Sequence, residues 1–167
     1  MQYFVWPVPG FGRVSSGFRT AQRPGHMGID IARGLDPPLP IDGAAIVAAA
    51  GGTVSAAASL HPTMGNMLEI DHGGGWVSRY MHNRQNLAAL GQAVRQGETV
   101  ALVGSTGRST GPHLHFELLR LGAHVDPLRY LGPAAPLPAA PAPVAARPRP
   151  LLQRVLGRLF AGPLAAR

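Results

Sequence analysis

The chain has no cysteine and, although strongly basic, no lysine: all 15 of its positive residues are arginine. Without cysteine there is no disulfide framework, thiolate metal site or cysteine nucleophile, so zinc fingers and thiol enzymes are excluded. That absence also suits a protein working outside the cytoplasm. Without lysine a biotinyl- or lipoyl-carrier module is excluded, despite the glycine–valine strand pattern at Ala48–Val54, because such modules need a lysine to modify. No apolar run is long enough to span a membrane. The opening Met1–Pro9 has no basic leader and its apolar run breaks at Pro7, so it does not read as a secretory signal. It reads as the start of the folded domain, with Trp6–Pro9 as a first edge strand. Either a leader has been removed or the chain reaches its place of work without one. Acidic residues number only eight, and all lie before residue 133. Residues 1–132 set ten arginines against them, a net of +2, whereas 133–167 carry Arg147, Arg149, Arg154, Arg158 and Arg167 alone, a net of +5. Five arginines without interleaved aromatic residues make no nucleic-acid footprint, so no nucleic-acid partner is expected.

What the chain has in quantity is glycine, 22 residues, and proline, 17. With short β-branched runs between them, these favour many short strands and tight turns, hence a mainly β fold. Strands are predicted near Ala44–Ala50, Gly52–Ala58, Met67–Asp71, Trp76–His82, Thr99–Val103 and His113–Arg120, with Asp71–Gly75 a glycine-rich turn. The only helical signal in this region is a short turn around Asn86–Leu90. A length of 167 residues suits one domain with a modest core plus something extra. The extra is a tail. Residues 133–150 hold seven prolines spaced mostly by alanine, which reads as a semi-rigid, extended Pro/Ala-rich linker. Beyond it, Leu151, Leu152, Val155, Leu156, Leu159 and Phe160 fall at helical spacing, with Arg154 and Arg158 stacked four apart. This predicts a short C-terminal amphipathic helix, which at about ten residues needs a surface to lie on. A protein partner or the domain itself is the first candidate for that surface and an anionic membrane the second. The expected division is 1–132 for the domain, 133–150 for the linker and 151–167 for the basic amphipathic segment.

Three short motifs carry the chemistry. In Gly111-Pro112-His113-Leu114-His115-Phe116-Glu117-Leu118, polar and apolar residues alternate as in a half-buried strand. His113, His115 and Glu117 then share one face, while Leu114, Phe116 and Leu118 anchor the other. Two imidazoles about 6–7 Å apart along a strand make a preorganised polar site. Imidazole is both the commonest metal-binding side chain and the usual general base near neutral pH. Upstream, His26-Met27-Gly28-Ile29-Asp30-Ile31 sets His26 and Asp30 four apart, and Gly28 with the isoleucines favours a turn entering a strand over a helix. One imidazole and one carboxylate from here, with one imidazole from the distant pair, give three N/O ligands. That is the count of a catalytic zinc site with a position left for water. The third motif, Tyr80-Met81-His82, ends an apolar strand, and alternation puts Tyr80 and His82 on one face. Glu117 is placed either to orient a ligand from behind or to pair with an arginine. His61, His72 and His124 sit in loop or turn contexts and read as surface residues; Asp71 and Asp126 read as structural.

Taken in order, His26-x-x-x-Asp30, Tyr80-x-His82 and His113-x-His115 resemble the motifs of the lysostaphin-like (LytM-type) zinc metalloendopeptidases, which cut peptidoglycan peptides. Ser16-Gly17-Phe18-Arg19, Gly65-Asn66-x-x-x-Ile70-Asp71-His72-Gly73 and Gly104-Ser105-Thr106-Gly107-x-Ser109-Thr110-Gly111 strengthen the resemblance, which covers roughly residues 12–130. It implies an antiparallel β-sheet groove domain of the duplicated hybrid motif type, with zinc at the groove floor. It also implies one zinc per chain, bound by His26, Asp30 and His115. His82 and His113 would be the two catalytic histidines outside the ligand set. The implied activity is hydrolysis of peptide cross-links or stem peptides at the bacterial cell wall, outside the cell or in the periplasm.

No His-Glu-x-x-His helix is present, so the glutamate base of that protease class is missing. Acid–base work must come from elsewhere, and either His82 or His113 can serve as the base while the other holds the developing oxyanion or shares the proton. The sequence also departs from the family pattern. A tyrosine often precedes the first motif histidine, where this chain reads Arg19–Gly25, and the leucine that often follows the middle histidine is Asn83 here. The connection Arg33–Gly43 is long and proline-rich and is expected to rim the groove. The alternative within the same fold is a non-catalytic binding or activator domain, as in relatives that have lost ligands; all five site residues are present here. A basic tail without a leader suggests an endolysin-like, wall-cutting component of a phage or phage-tail-like particle, docked through residues 151–167. A secreted enzyme is the rival setting.

Overall fold

The computed structural model describes residues 4–33 and 40–132, so the linker and the amphipathic segment lie outside the described residues, as does most of the proline-rich connection after Arg33. The strands are β1 (Arg13–Ser16), β2 (Ile29–Ala32), β3 (Ala45–Val47), β4 (Gly52–His61), β5 (Gly65–Gly73) and β6 (Trp76–Asn83). They continue with β7 (Gln85–Asn86), β8 (Ala93–Val94), β9 (Thr99–Leu102), β10 (Leu114–Arg120) and β11 (Ala123–Val125). A single 3₁₀ turn, Pro127–Arg129, starts at Asp126, whose side chain accepts from the Leu128 N–H. Among the described residues no helix is long and apolar enough to cross a membrane.

The fold is mainly β and its strands pair antiparallel throughout. The large sheet runs β1-β2-β10-β6-β5-β4-β8, with β11 beside β10, and a small sheet runs β3-β9-β7. The glycine-punctuated runs of the sequence produce this directly, because each apolar alternation is long enough for one strand and each glycine cluster turns the chain back. Ile29, Ile31, Leu68, Ile70, Tyr80, Leu114, Phe116 and Leu118 form the inner face of the large sheet and join Ile46, Val100 and Ala101 of the small sheet in one buried cluster. Burial of these side chains removes apolar surface from water at about 25 cal/mol per Å².

Three expectations need correction. Trp6–Pro9 is not a strand: Pro7 and Pro9 have no N–H for a ladder, and the segment turns back on itself through the Phe11 N–H on the Val8 carbonyl, while its Pro7 carbonyl accepts from the Val47 N–H. The expected helical turn at Asn86–Leu90 is instead strand at Asn86 followed by a bend and a turn. Gln85 and Asn86 pair with β9, and the Leu87 and Ala88 N–H groups both reach the Val100 carbonyl, an external acceptor that removes the need for internal helical bonds. The strand expected over Ala44–Ala50 is confined to Ala45–Val47, because a register shift after Ile46 sends Ala48 to the Glu98 carbonyl instead.

A buried polar chain staples the sheet to the loop before β4. The Ala49 N–H donates to the Tyr80 hydroxyl at 2.8 Å, that hydroxyl is 2.9 Å from Ser78 Oγ, and Ser78 Oγ is 2.8 Å from His72 Nε2. His72 Nδ1 lies 2.9 Å from the Gly51 carbonyl. His72 is therefore a structural member of β5 rather than a surface turn residue, and burial lowers its pKa, keeping the ring neutral. Burial also pushes the Tyr80 phenol up to about 12. Tyr80→Phe would leave the Ala49 N–H buried without its acceptor, and the loss is expected to be about 1–3 kcal/mol. Urea unfolding of the variant checks this; unchanged stability would show that the hydroxyl is dispensable.

Candidate metal and catalytic centre

β10 is the spine of the site. Its register sets His115 opposite Asp30 of β2 on one side and opposite Met81 of β6 on the other. The alternation read in the sequence holds, since Leu114, Phe116 and Leu118 are fully buried in the core while His115 and Glu117 face a groove. Gly28 lets β2 come this close: a Cβ there would collide with the Phe116 carbonyl. The groove has a volume of about 850 Å³ and its walls carry Arg23, Arg79, Arg108, Met64, Met81 and His124 besides the motif residues.

Three acceptor atoms converge on the floor. His26 Nε2 is 3.0 Å from Asp30 Oδ1, His115 Nδ1 is 2.8 Å from the same oxygen, and the two imidazole nitrogens are 3.1 Å apart. The opposite edges of the rings show where the protons are. His26 Nδ1 lies 2.7 Å from the Gly17 carbonyl and His115 Nε2 lies 3.2 Å from Glu117 Oε1. Both outer partners accept only, so the neutral rings carry their protons outward and turn lone pairs towards Asp30. Three lone pairs this close repel unless a cation stands between them, and a proton can bridge only two of them at a time. A tetrahedral zinc ion with bonds of about 2.0–2.1 Å needs ligand separations near 3.3 Å, so the triangle fits after opening by a few tenths of an ångström. These three residues could hold a metal ion.

The electrostatics agree with that demand. Burial alone would raise the Asp30 carboxyl, but His115, then His26 and His113, hold it well below the usual carboxylate range. Burial alone would lower His115, but its bonds to Asp30 and Glu117 outweigh this and push it up to about 9, so without a metal a second proton on Nδ1 stands where a cation would reside. Glu117 fills both roles expected of it. It backs His115 with one oxygen, and with the other it receives His124 Nε2 at 3.0 Å and Arg79 at 3.5 Å. The second Asp30 oxygen receives Arg23 Nη1 at 2.8 Å. Arg23, from the segment that lacks the tyrosine often found in the family, thus stands in the groove wall.

His82 and His113 lie beside this floor with ring centroids 4.9 Å apart. His113 Nδ1 is 2.8 Å from the Gly111 carbonyl and His82 Nδ1 is 2.9 Å from the Thr106 carbonyl. Carbonyls accept, so both Nδ1 atoms carry protons and both Nε2 atoms are free acceptors. His113 Nε2 comes within 3.8 Å of Asp30 Oδ1. Burial lowers the His82 pKa; the bond to the Thr106 carbonyl opposes it, and His113 and His115 add smaller lowering effects.

Simple alternation fails at His82. Tyr80 points into the core against Phe116, and Met81 already faces the groove, so an unbroken strand would bury His82. The pairing of β6 with β5 slips between Leu68↔Tyr80 and Asn66↔Asn83, leaving one extra residue on β6. His82 takes up that bulge at φ 64°, which swings its ring back to the groove. The bulge is held by a close knot: the His82 N–H donates to the Met64 carbonyl, and Thr106 Oγ1 donates to the Asn83 carbonyl while accepting from the Asn66 N–H. Asn83, in place of the expected leucine, is fully buried and donates to the Tyr80 carbonyl and Asn86.

His124, read as a surface residue, belongs to the groove. Leu121–Gly122, both at positive φ, close a two-residue hairpin that pairs His124 with Leu119 and so sets it on the Glu117 face. Leu121 is not one of the residues that usually take positive φ in a two-residue hairpin, so the turn carried no strong signal in the sequence. His61 is confined to the β4–β5 turn, where its ring accepts from Thr63 and Met64.

A family model for Peptidase family M23 matches residues 24–127. The chain belongs to peptidase family M23. A peptidoglycan DD-endopeptidase, ShyC of Vibrio cholerae, is 39% identical to this M23 domain over 118 residues, covering 70% of the chain and 27% of that protein. The murein hydrolase activator NlpD of Salmonella typhimurium is 40% identical over 127 residues, covering 76% of the chain and 31% of that protein. The M23 chain thus spans about three tenths of these curated relatives. A zinc-containing peptidase from Vibrio cholerae shares the fold with a TM-score of 0.65 and 36% identity, over 82% of this chain and 41% of that one.

The knot around His82 generates a stability test. Gly65, at φ 65°, has no room for a Cβ because Thr106 is in contact, whereas Gly73, at φ 75°, faces open space. Gly73→Ala is expected to lose only the backbone penalty of about 1–2 kcal/mol. Gly65→Ala should lose at least about 1 kcal/mol more through overpacking. Thermal unfolding of the two variants decides it, and equal losses would show that the knot yields freely.

Proposed function

We propose that this M23 domain is a zinc-dependent endopeptidase that hydrolyses cross-links or stem peptides of bacterial peptidoglycan, with His26, Asp30 and His115 as metal ligands and His82 and His113 as catalytic residues. The observation that carries this reading is the set of three converging acceptors with two further unprotonated imidazole edges beside it. A zinc ion on those ligands would bring the pKa of its bound water to about 7 and polarise the scissile carbonyl. The chain's own residues handle the proton. As water adds its oxygen to the carbonyl carbon, its proton passes to a histidine Nε2, and the same proton is returned to the departing amine as the C–N bond breaks. His113 is the better placed to receive it, with Nε2 near Asp30, and His82 stands next to it to share the transfer.

The family and the DD-endopeptidase relatives support a substrate in the cell wall, and hence a site of action in the bacterial envelope. Residues 133–167 are proposed from sequence alone to tether the domain to a partner, which in a phage-like particle would be the larger assembly. One observation favours a second reading: relatives named murein hydrolase activator match the same region. The complete set of five residues favours catalysis.

Digestion of purified peptidoglycan by the zinc-loaded protein, followed by mass analysis, separates the readings. New amino termini are expected. New reducing sugar ends would replace the endopeptidase by a glycosidase, and no release at all would leave the activator. His82→Ala and His113→Ala should each lower kcat by about 10²–10⁴ while retaining the metal. Loss of metal along with activity in either variant would contradict its assigned role.

A further inference from the structure

The groove has a cationic wall whose charge the chemistry above does not use. Three arginines line it. Arg23 is engaged with Asp30 and Ser16, and Arg79 with Glu69 and Glu117. Asp30 and Glu117, the acids of the groove, are likewise committed to the histidines and to these two arginines. Arg108 is exposed on the same wall and its guanidinium has no carboxylate partner among the described residues. Three arginines against two carboxylates give the groove a net of +1 with its histidines counted as neutral.

The backbone that carries Arg108 is held firmly. Its N–H donates to the Thr63 carbonyl at 2.9 Å, and Gly107, at φ 69°, packs so closely on Gly65 and Thr63 that a Cβ would collide with both. Ser105 Oγ and Ser109 Oγ bond at 2.9 Å, and Ser109 Oγ lies 3.3 Å from His113 Nδ1. The loop that fixes the His113 ring therefore also fixes the origin of the Arg108 side chain. A planar guanidinium on a rigid base, unpaired in a groove that an extended peptide would cover, is suited to bidentate capture of a carboxylate. A neutral substrate offers it single carbonyl acceptors but no opposite charge and no bidentate partner.

We propose that Arg108 forms a carboxylate-binding subsite of the groove, so that the domain selects peptides bearing a free carboxylate next to the scissile bond over neutral ones. The proposal rests on the endopeptidase reading and adds the substrate's charge to it. Arg108 acts on binding, so its contribution lies in KM and weakens as salt rises.

The test uses synthetic peptides in matched pairs, identical except that a carboxylate on one side or the other of the scissile bond is replaced by a carboxamide. The full chain, zinc-loaded, should prefer the carboxylate form of one pair by about tenfold in kcat/KM, the worth of a hydrogen-bonded charge pair. Arg108→Gln should bring that ratio to about one, chiefly through KM, and Arg108→Lys should restore part of it. No preference in either pair, or a preference that survives Arg108→Gln, would overturn the subsite. Calorimetric binding of the same peptides to wild-type and Arg108→Gln proteins keeps the two claims apart. If no bond is cut but the carboxylate preference is present and lost with Arg108, the endopeptidase reading fails and the subsite stands. If bonds are cut with no preference, the subsite fails alone.

Discussion

Three electron-pair donors held within about 3 Å of one another, which only a shared positive charge reconciles, are the constraint around which the domain is arranged. Such a cluster is costly in a folded protein unless a cation resides in it. Its orientation is enforced from outside. The Gly17 carbonyl takes one imidazole proton and Glu117 takes the other, so each ring is turned before any metal arrives. The sheet supplies the rest. β10 lies between β2 and β6, Gly28 allows the close approach on the β2 side, and the buried leucines and Phe116 lock the strand in register. A one-residue slip of β10 would send His115 and Glu117 into the core and the leucines into the groove.

The second arrangement is a local violation of the first. A regular β6 would place His82 inward with Tyr80. The bulge and the positive φ at His82 reverse this, and the strain is borne by contacts among the segments around Gly65, Asn83 and Thr106. Thr106 links the two functions of this knot. Its hydroxyl holds the Asn83 carbonyl and its own carbonyl orients the His82 ring. The same loop continues through Arg108 to His113, so one rigid segment supports both imidazoles and an arginine with no carboxylate partner among the described residues.

Much of this was legible in the chain itself where a period of two runs undisturbed. The alternation from His113 to Leu118 gave the right faces, and the spacing of His26 and Asp30 fitted a turn into a strand. Five motif residues from three distant segments do meet in one groove. Alternation misassigned His82 because a bulge adds a residue without changing composition, and it is visible only once β5 is laid alongside. The short stretch after Asn86 read as a helical turn because the Val100 carbonyl that satisfies it comes from a distant strand. Arg23 and Arg108 were invisible as groove residues because loop side chains follow no period. His124 was missed because Leu121-Gly122 is not a usual hairpin pair, and only the β10–β11 register sets it beside Glu117.

The central claim is that the converging acceptors require a shared cation, and zinc-linked stability measures it most directly. One equivalent of zinc added to metal-free protein should bind stoichiometrically and raise the unfolding temperature, because a ligand that binds only the folded state stabilises it by mass action. His115→Ala should lose both the stoichiometric binding and the thermal shift. A wild-type protein whose unfolding temperature is indifferent to zinc, or a His115→Ala variant that binds it as before, would contradict the account.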